Sequence, residues 1–457
     1  MTLSSPSARR REHVRGRWSY QIDLGIGREK TVHSAKQAFG VTIPWLMISL
    51  PVFLATSRAA TELASWGLAV LTLFYIAVDA FARHREFKFF RLGPDLSLGA
   101  CLSFGLISVL VSLFQSTDPA ATFIDGLSAV RWIPLLYLFV YAWELFPGLN
   151  RVMFALVGVV TFTAIATWIQ HFQGVDWLSG EALANAPTGR LPYFVPRGFF
   201  GSTEALATLL ACVLPFPFAA ACLRRGRELT DKMTWVGFGL SVVISLALFF
   251  TYRPGLWWAG VAGAASLLLF PADRRFKLFA SIAATIAVVF GLLFVAPSLG
   301  TEDDAATLWD RITTEETGRA DQHRKQMNQL VTVWEQSPVI GVAGNNGTPL
   351  AQTEAVNVYF IILAHSGVIG LSLYLIFILH HLLNTLRLFQ EIPASHHKHR
   401  ILAAGCFGSQ CAFHVAGLHW GTMSEAFSMN LFILVSSITI YMNEHYAHGL
   451  VPDDNSL

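Results

Sequence analysis

Long apolar runs, most of about 20 residues, recur along almost the whole chain and are separated by short polar segments. A run of this length is what an α-helix needs to cross the roughly 30 Å hydrocarbon core of a bilayer. The sequence therefore predicts an all-α polytopic membrane protein with about twelve transmembrane helices. The predicted spans are 38–56, 62–82, 95–115, 122–146, 151–171, 198–222, 233–252, 254–271, 276–297, 353–383, 400–418 and 425–445.

The composition agrees with this interpretation. Apolar residues make up 53% of the 457-residue chain and charged residues only 14%, and the mean hydropathy is +0.49. Soluble globular proteins carry about 25% charged residues. A water-soluble enzyme and a single-pass receptor are thereby excluded. The five cysteines all lie in or beside apolar segments, where cysteine acts as a small hydrophobe, so they indicate neither a disulfide framework nor a metal motif.

The basic residues predict the orientation of the spans. Residues 1–37 form a basic tail, and alternate loops after it carry most of the remaining Lys and Arg. Short loops on the other side, such as 57–61 and 116–121, carry only Arg58. Basic loops stay in the cytoplasm, so we expect both termini, including the 446–457 tail, on the cytoplasmic side of the membrane. The loops predicted inside carry Arg83, Arg85, Lys88, Arg91, Arg151, Arg224, Arg225, Arg227, Lys232, Arg274, Arg275, Lys277, Arg387, Lys398 and Arg400.

Two longer segments fall on the opposite, outer side of the membrane. They are a loop at 172–197 within the nine-span block 38–297, and a large loop at 298–352 before the three-span block 353–445. Functional residues concentrate in such loops because ordinary connections between spans are short. Within the large loop, 320–336 has an amphipathic pattern that predicts a helix lying on the membrane surface or the bundle, ended by Pro338. The apolar stripe of this helix consists of Met327, Leu330, Val331 and Trp334.

Cationic residues occur on the predicted outer side where a helix bundle ordinarily avoids them. They are Arg197 at the start of the sixth span, Arg253 between the seventh and eighth, and Arg319 with His323 and Arg324 before the amphipathic helix. Guanidinium groups match phosphate oxygens, and an arginine at membrane depth usually has a polar partner. Several converging arginines favour a ligand that carries a diphosphate. Snorkelling to the lipid headgroups explains any one of them taken alone.

Four short motifs follow one another in a fixed order around these arginines. Together they resemble the O-antigen ligase and polymerase superfamily, over roughly residues 190–375. The motifs are Arg-Gly-Phe-Phe-Gly-Ser-Thr-Glu-Ala-Leu-Ala from Arg197 with Leu214-Pro215, Thr251-Tyr-Arg-Pro-Gly-Leu256, Thr317-Gly-Arg319 followed by Ser337-Pro-Val-Ile-Gly-Val-Ala-Gly344, and Asn357 followed by Gly367 and Gly370.

The resemblance implies a twelve-span inner-membrane glycosyltransferase with a large periplasmic loop between spans nine and ten. Such enzymes move a glycan from an undecaprenyl-diphosphate carrier to an acceptor sugar, with neither a metal nor another cofactor. Arg197 and Arg253 match the family's donor-diphosphate arginines, and Arg319 matches the arginine that opens its periplasmic helix. The supporting positions are Arg190, His323, Arg324 and Asn357.

One position departs from the family's pattern. Its ligases place a histidine directly before the asparagine of the tenth span, and this chain has Val356 there. His365 is about 13 Å further along a regular helix and is interpreted as a buried imidazole. Glu354, on the same helix end, is our first candidate for the catalytic base, although a solvated carboxylate is the simpler interpretation. His419 in the last periplasmic loop is the second, with a structural imidazole as its alternative.

Two further interpretations concern charged and polar side chains. Glu204, seven residues after Arg197, is interpreted as the counter-ion of that arginine. The five histidines of the cytoplasmic side have no fixed ligand spacing, so we expect a weakly basic solvated surface and no metal site. They are His380, His381, His396, His397 and His399.

The leading function is therefore a ligase that moves undecaprenyl-diphosphate-linked glycan onto lipid A-core, with membrane lipids as further partners and no nucleic acid. Polymerisation of repeat units onto another glycan differs only in the acceptor, and Val356 favours it. A twelve-span secondary transporter fits the topology equally well. The 55-residue loop at 298–352 and the absence of a Gly-x-x-x-Asp-Arg loop in 83–94 argue against a transporter.

Overall fold

The computed structural model describes helices along most of the apolar runs. Apart from turns and isolated β-bridges, every element in this part of the chain is helical, so the predicted all-α class is confirmed. Described are residues 26–56, 58–83, 103–104, 106–107, 110, 132–146, 148–176, 180–184, 194–200, 202–223, 232–270, 324–341, 357–419, 422 and 426–447. The helices are α1 Ile26–Thr56, α2 Arg58–Arg83, α3 Trp132–Leu145, α4 Leu149–Gln173, α5 Thr203–Val213, α6 Pro215–Leu223, α7 Lys232–Phe249, α8 Pro254–Ser266, α9 324–336, α10 Val358–Glu391, α11 His397–Ala416 and α12 Ala426–Ala447.

Four helical segments among the described residues are long and apolar enough to cross a membrane. They are Ala59–Val78, Leu149–Gln173, Thr203–Leu223 and Val358–Glu391. Shorter apolar helices accompany them, including Trp132–Trp143 in α3. The twelve-span count and the side of the membrane on which each loop lies stay predictions.

The interior of the bundle is formed by α3, α5, α6, α11 and α12, whose apolar side chains are buried together. Trp143 is fully buried, and its indole Nε1–H donates to Ser437 Oγ at 2.9 Å, which joins α3 to α12. Between α8 and α11 the backbones meet directly, since a Cβ on Gly263 would lie 2.8 Å from the Gly408 carbonyl oxygen. Small residues permit this close approach, as they do between helices in membranes.

Large apolar side chains also cover the outside of several helices. Trp45, Phe74, Phe154 and Trp258 are all more than half exposed. A soluble monomer rarely exposes so many large apolar groups. The outer surface of the bundle is therefore compatible with a lipid environment.

Two observed helices begin away from the start of the predicted span. α1 begins at Ile26, ahead of the span predicted at 38–56, because the helix continues through polar residues before the apolar run. The cytoplasmic tail at 1–37 stays a prediction. The sixth predicted span, 198–222, begins as a turn and becomes helical only at Thr203. Ser202 sets that start, since its hydroxyl accepts the Ala205 N–H at 3.2 Å as an N-cap.

The amphipathic helix predicted at 320–336 is present as α9, and it packs on the bundle. Leu330 and Val333 are buried against Ala364 of α10. Of the predicted stripe, Leu330 is buried and Met327, Val331 and Trp334 are half-buried. The prediction omitted Val333, which is buried because the position of α10 decides which side of α9 is covered. Pro338 follows the helix as expected, and its carbonyl accepts the Trp334 indole N–H at 3.0 Å.

The turn after α9 inserts into a break in α10. Gly367 has φ +62°, so the helical hydrogen-bond ladder is interrupted there. The carbonyls of Pro338 and Val339 accept the N–H groups of Val368 and Ile369, at 3.0 and 3.2 Å. The backbone of the turn thus satisfies donors that the break releases, in a helix otherwise apolar enough to cross a membrane.

Five histidines near the end of α10 and the start of α11 were predicted to form a solvated surface, and this is wrong for two of them. His381 and His399 are only 3% and 1% exposed. His381 Nε2 accepts from the Gln410 amide at 2.9 Å, and His399 Nδ1 lies 2.5 Å from the Tyr446 hydroxyl. Both rings are covered because α10, α11 and α12 pack around them.

Candidate functional site

Arg253 and Glu204 form an ion pair between two helix starts. Arg253 Nη2 lies 2.5 Å from Glu204 Oε1, and the two side chains are only 17% and 23% exposed. Glu204 lies in the first turn of α5, and Arg253 is the N-cap residue of α8. The expectation that Glu204 is the counter-ion of Arg197 is therefore wrong, because the fold brings the start of α8, with Arg253, next to this carboxylate. The Nε of Arg253 is buried and has no hydrogen-bond partner in the described part of the chain.

The loop before Arg253 is strained and firmly held. Tyr252 has φ +52°, a conformation that costs a non-glycine residue about 1–3 kcal/mol. Three donors converge on the Leu248 carbonyl: the Thr251 hydroxyl at 2.6 Å, the Trp257 indole N–H at 2.9 Å and the Thr251 backbone N–H at 3.2 Å. Pro254 then starts α8 with a φ already suited to a helix. The backbone that leads into Arg253 is thus held by its own loop.

A single buried amide holds the loop that carries Arg197. Gln170 Oε1 accepts the N–H groups of Arg197 and Gly198, at 3.2 and 2.8 Å, and Gln170 Nε2 donates to the Gly198 carbonyl at 2.9 Å. Gln170 is fully buried, and Gly198 adopts φ +62°, where a side chain would be strained. Arg197 itself is half-buried, and no carboxylate among the described residues pairs with it.

The next residue, His171, joins the two arginine loops. Its Nδ1–H donates to the Phe194 carbonyl at 2.8 Å, three residues before Arg197. Its ring stacks on Phe250 with centroids 4.3 Å apart, and lies 5.9 Å from the ring of Tyr252. Gln170 and His171 thus hold both loops from the last turns of α4. Sequence analysis missed them, although two adjacent polar residues at the end of an apolar run were a usable signal.

His419 lies against the first turn of α8, next to Arg253. A Cβ on Gly255 would lie 2.7 Å from His419 Cγ and 2.8 Å from its Nδ1, so the imidazole occupies the space that a side chain there would need. The ring is exposed at its outer side. Partial burial lowers the pKa of His419 below its ordinary value, so the neutral imidazole prevails at pH 7.

Asn357 connects α10 to this region. Its side-chain oxygen caps α10 by accepting the Tyr359 N–H at 2.9 Å. The next N–H, of Val358, donates to the Gly417 carbonyl at 2.8 Å, two residues before His419. Asn357 is therefore a helix cap, and it fixes the α10 start beside the loop that carries His419.

Four of the predicted site residues thus lie at one end of the bundle, which we call the arginine end: Arg197, Arg253, Asn357 and His419. Arg324 is exposed in the first turn of α9. The predictions for Glu354, Val356, Arg190, Arg319 and His323 concern positions outside the described residues.

The arginine end has the chemistry of an anion site with an adjacent base. Arg197 and Arg253 supply guanidinium donors, and the starts of α5 and α8 add the positive ends of two helix dipoles. Glu204 occupies Arg253 and competes with an incoming anion for it. The described residues bring no three His, Cys, Asp or Glu side chains together as metal ligands.

The sequence matches no protein-family model and no curated protein. The resemblance to the O-antigen ligase and polymerase superfamily therefore rests on the ordered motifs alone.

Proposed function

We propose that this protein is a glycosyltransferase of the bacterial inner membrane that uses an undecaprenyl-diphosphate-linked glycan as donor and lipid A-core as acceptor. The observation that carries the proposal is the fixed pairing of the Arg197 and Arg253 loops by Gln170 and His171. Two guanidinium groups held at one helix end are suited to the two phosphates of a diphosphate. The proposal includes twelve spans, cytoplasmic termini and a periplasmic arginine end.

The proposed reaction is a direct displacement at the anomeric carbon. The bond between this carbon and the diphosphate oxygen breaks, and its electron pair stays with the diphosphate. The acceptor hydroxyl oxygen forms the new bond and gives its proton to a base, so the anomeric configuration inverts. Arg197 and Arg253 stabilise the charge that develops on the departing diphosphate.

His419 and Glu354 are the proposed bases. The neutral His419 ring beside Gly255 can accept a proton at pH 7, because its pKa is lowered by partial burial. Glu354 precedes Asn357 by three residues, and Asn357 starts α10 next to Gly417.

A repeat-unit polymerase of the same superfamily is the nearest alternative, and Val356 in place of the ligase histidine favours it. The interruption of α10 at Gly367 favours a secondary transporter instead, since transporters build their binding sites from broken helices. Here, however, the turn 337–341 fills the break with its own carbonyls.

Deletion of the gene followed by gel analysis of surface polysaccharide distinguishes these functions. A ligase predicts core lacking long chains together with accumulated carrier-linked polymer, and a polymerase predicts core with a single repeat. An unchanged polysaccharide pattern with lost uptake of a solute would identify a transporter.

Complementation of the deletion strain with site-directed variants tests the role of Arg253. Arg253→Ala should lower the rate of glycan transfer by about two orders of magnitude, and Arg253→Lys should restore little of it, since lysine lacks the guanidinium fork. Arg151→Ala, an exposed arginine in the first turn of α4, is the matched control.

Labelling at the two ends of α11 tests the orientation. An impermeant maleimide should modify Leu418→Cys in cells with a permeabilised outer membrane and should leave Lys398→Cys unmodified until the inner membrane is opened. Both positions are exposed, so accessibility to reagent alone decides the result. The reverse pattern would invert the proposed topology.

A further inference from the structure

A cavity of about 410 Å³ lies between α4, α6, α7 and α11, near the end of the bundle opposite to the arginine end. Its body is apolar and is lined by side chains that include Met153, Val157, Phe216 and Leu402. Along α4, twenty residues separate its mouth at Asn150 from Gln170, which corresponds to about 30 Å. The cavity is therefore a separate feature from the arginine loops.

The polar side chains of this cavity gather at one end. Asn150, His397 and Lys398 line it there, in the first turns of α4 and α11. Neither helix start receives a side-chain cap, so the positive dipole ends of both helices lie at this end of the cavity without a capping side chain. The amide Nδ2 of Asn150 is buried and donates to no described residue. This end of the cavity offers donors and positive charge to an anion.

The cavity is open at the side of the bundle. Phe154 and Val236 belong to its lining and are nevertheless 68% and 52% exposed. They lie on α4 and α7, so the opening is between these two helices. A hydrocarbon chain in a surrounding bilayer can enter the cavity through this opening.

We infer that this cavity is a binding site for an anionic phospholipid. The phosphate lies against Lys398, Asn150 and the first-turn N–H groups of α4 and α11, and one acyl chain fills the apolar body. Two other ligands match the cavity less well. A soluble anion would leave the apolar body of the cavity unfilled, and a zwitterionic lipid has no net negative charge to pair with Lys398. Basic pockets between membrane helices bind anionic lipids for the same reasons. The inference requires only that the chain lies in a bilayer, and it is independent of glycan transfer.

Native mass spectrometry of the full chain in detergent tests the inference, with phosphatidylglycerol and phosphatidylcholine of identical acyl chains as probes. We expect one phosphatidylglycerol to be retained about tenfold more tightly than phosphatidylcholine, and Lys398→Ala to remove most of that preference. The matched control is Lys232→Ala, an exposed lysine that starts α7 and does not line the cavity. It should leave the preference unchanged.

A second variant tests the apolar body. Ala220→Leu places extra volume in the cavity and should weaken retention of both lipids, with the melting temperature measured alongside to show that the bundle stays folded. Equal retention of the two lipids by the unsubstituted chain would overturn the inference. So would an equal loss of preference in Lys232→Ala, or displacement of phosphatidylglycerol by millimolar inorganic phosphate, which would indicate a site for a free anion.

Discussion

The guanidinium of Arg253 pairs with the carboxylate of Glu204 at 2.5 Å and thereby joins the start of α8 to the start of α5. These helix starts follow the two loops that carry Arg253 and Arg197. The pair is largely enclosed, so a ligand phosphate that binds Arg253 has to replace this carboxylate or share the guanidinium with it. The carboxylate therefore sets how readily the arginine end accepts an anion.

Glu204→Gln should tighten binding of undecaprenyl diphosphate by about five- to tenfold, because the amide no longer competes with the phosphate for Arg253. Binding is measured by quenching of intrinsic tryptophan fluorescence in nanodiscs. Glu391→Gln, at the exposed end of α10, is the control. Weaker binding by Glu204→Gln would mean that the carboxylate serves to orient Arg253 and does not compete.

Gln170→Met should reduce binding of the same probe about tenfold at unchanged membrane abundance. Methionine keeps the shape of the side chain and loses the hydrogen bonds to Arg197 and Gly198. In Gln170→Glu, the ionised carboxylate faces the Gly198 carbonyl, whereas the protonated acid donates to it as the amide does. Binding by this variant should therefore recover as the pH falls, while the unsubstituted chain shows no such gain. A purely structural role predicts equal losses at all pH values, together with lower abundance.

The pH dependence of transfer should contain an acidic limb that belongs to His419. Burial lowers its pKa, so the neutral base persists below the ordinary value of about 6.5 and is lost only at still lower pH. His419→Gln should remove that limb and lower transfer about tenfold or more at pH 7.5. The folded chain binds this proton more weakly than the unfolded chain, so stability also declines as the pH falls below about 6.5. The folded fraction must therefore be followed at each pH, and an unchanged limb in His419→Gln would exclude the assignment.

Gly367→Ala should release the 337–341 turn from α10. A Cβ at this position would overlap the Val339 carbonyl, and φ +62° with ψ −167° is a backbone region essentially restricted to glycine, which adds about 1–3 kcal/mol for another residue. A disulfide between Leu330→Cys and Ala364→Cys reports the docking of α9, and its yield should fall sharply in the Gly367→Ala background. Gly239→Ala, where the added Cβ meets no atom within 4 Å, should leave the yield unchanged. Equal yields in both backgrounds would show that the turn docks without this glycine.

Much of the arginine end depends on contacts between residues that are distant in the chain. Arg197 and Arg253 were predicted as a pair because each lies in a short motif that can be recognised locally. Glu204 was assigned to the wrong arginine, because it is seven residues from Arg197 in the chain and forty-nine from Arg253, with which it pairs. Separation along the chain does not predict ion-pair partners at the ends of helices, because the packing of the helices brings remote loops together.

The sequence by itself determined the helical class and the approximate position of each described helix. Hydropathy and periodicity are local properties, and an apolar run of sufficient length has few alternatives to a helix in lipid. The tertiary structure alone decided that Gln170 and His171 hold the two arginine loops. It also decided that the His419 ring packs against Gly255 and that the turn after α9 packs into the break at Gly367. These relationships depend on which helix ends meet and how closely their backbones approach, and no local pattern of residues encodes either quantity.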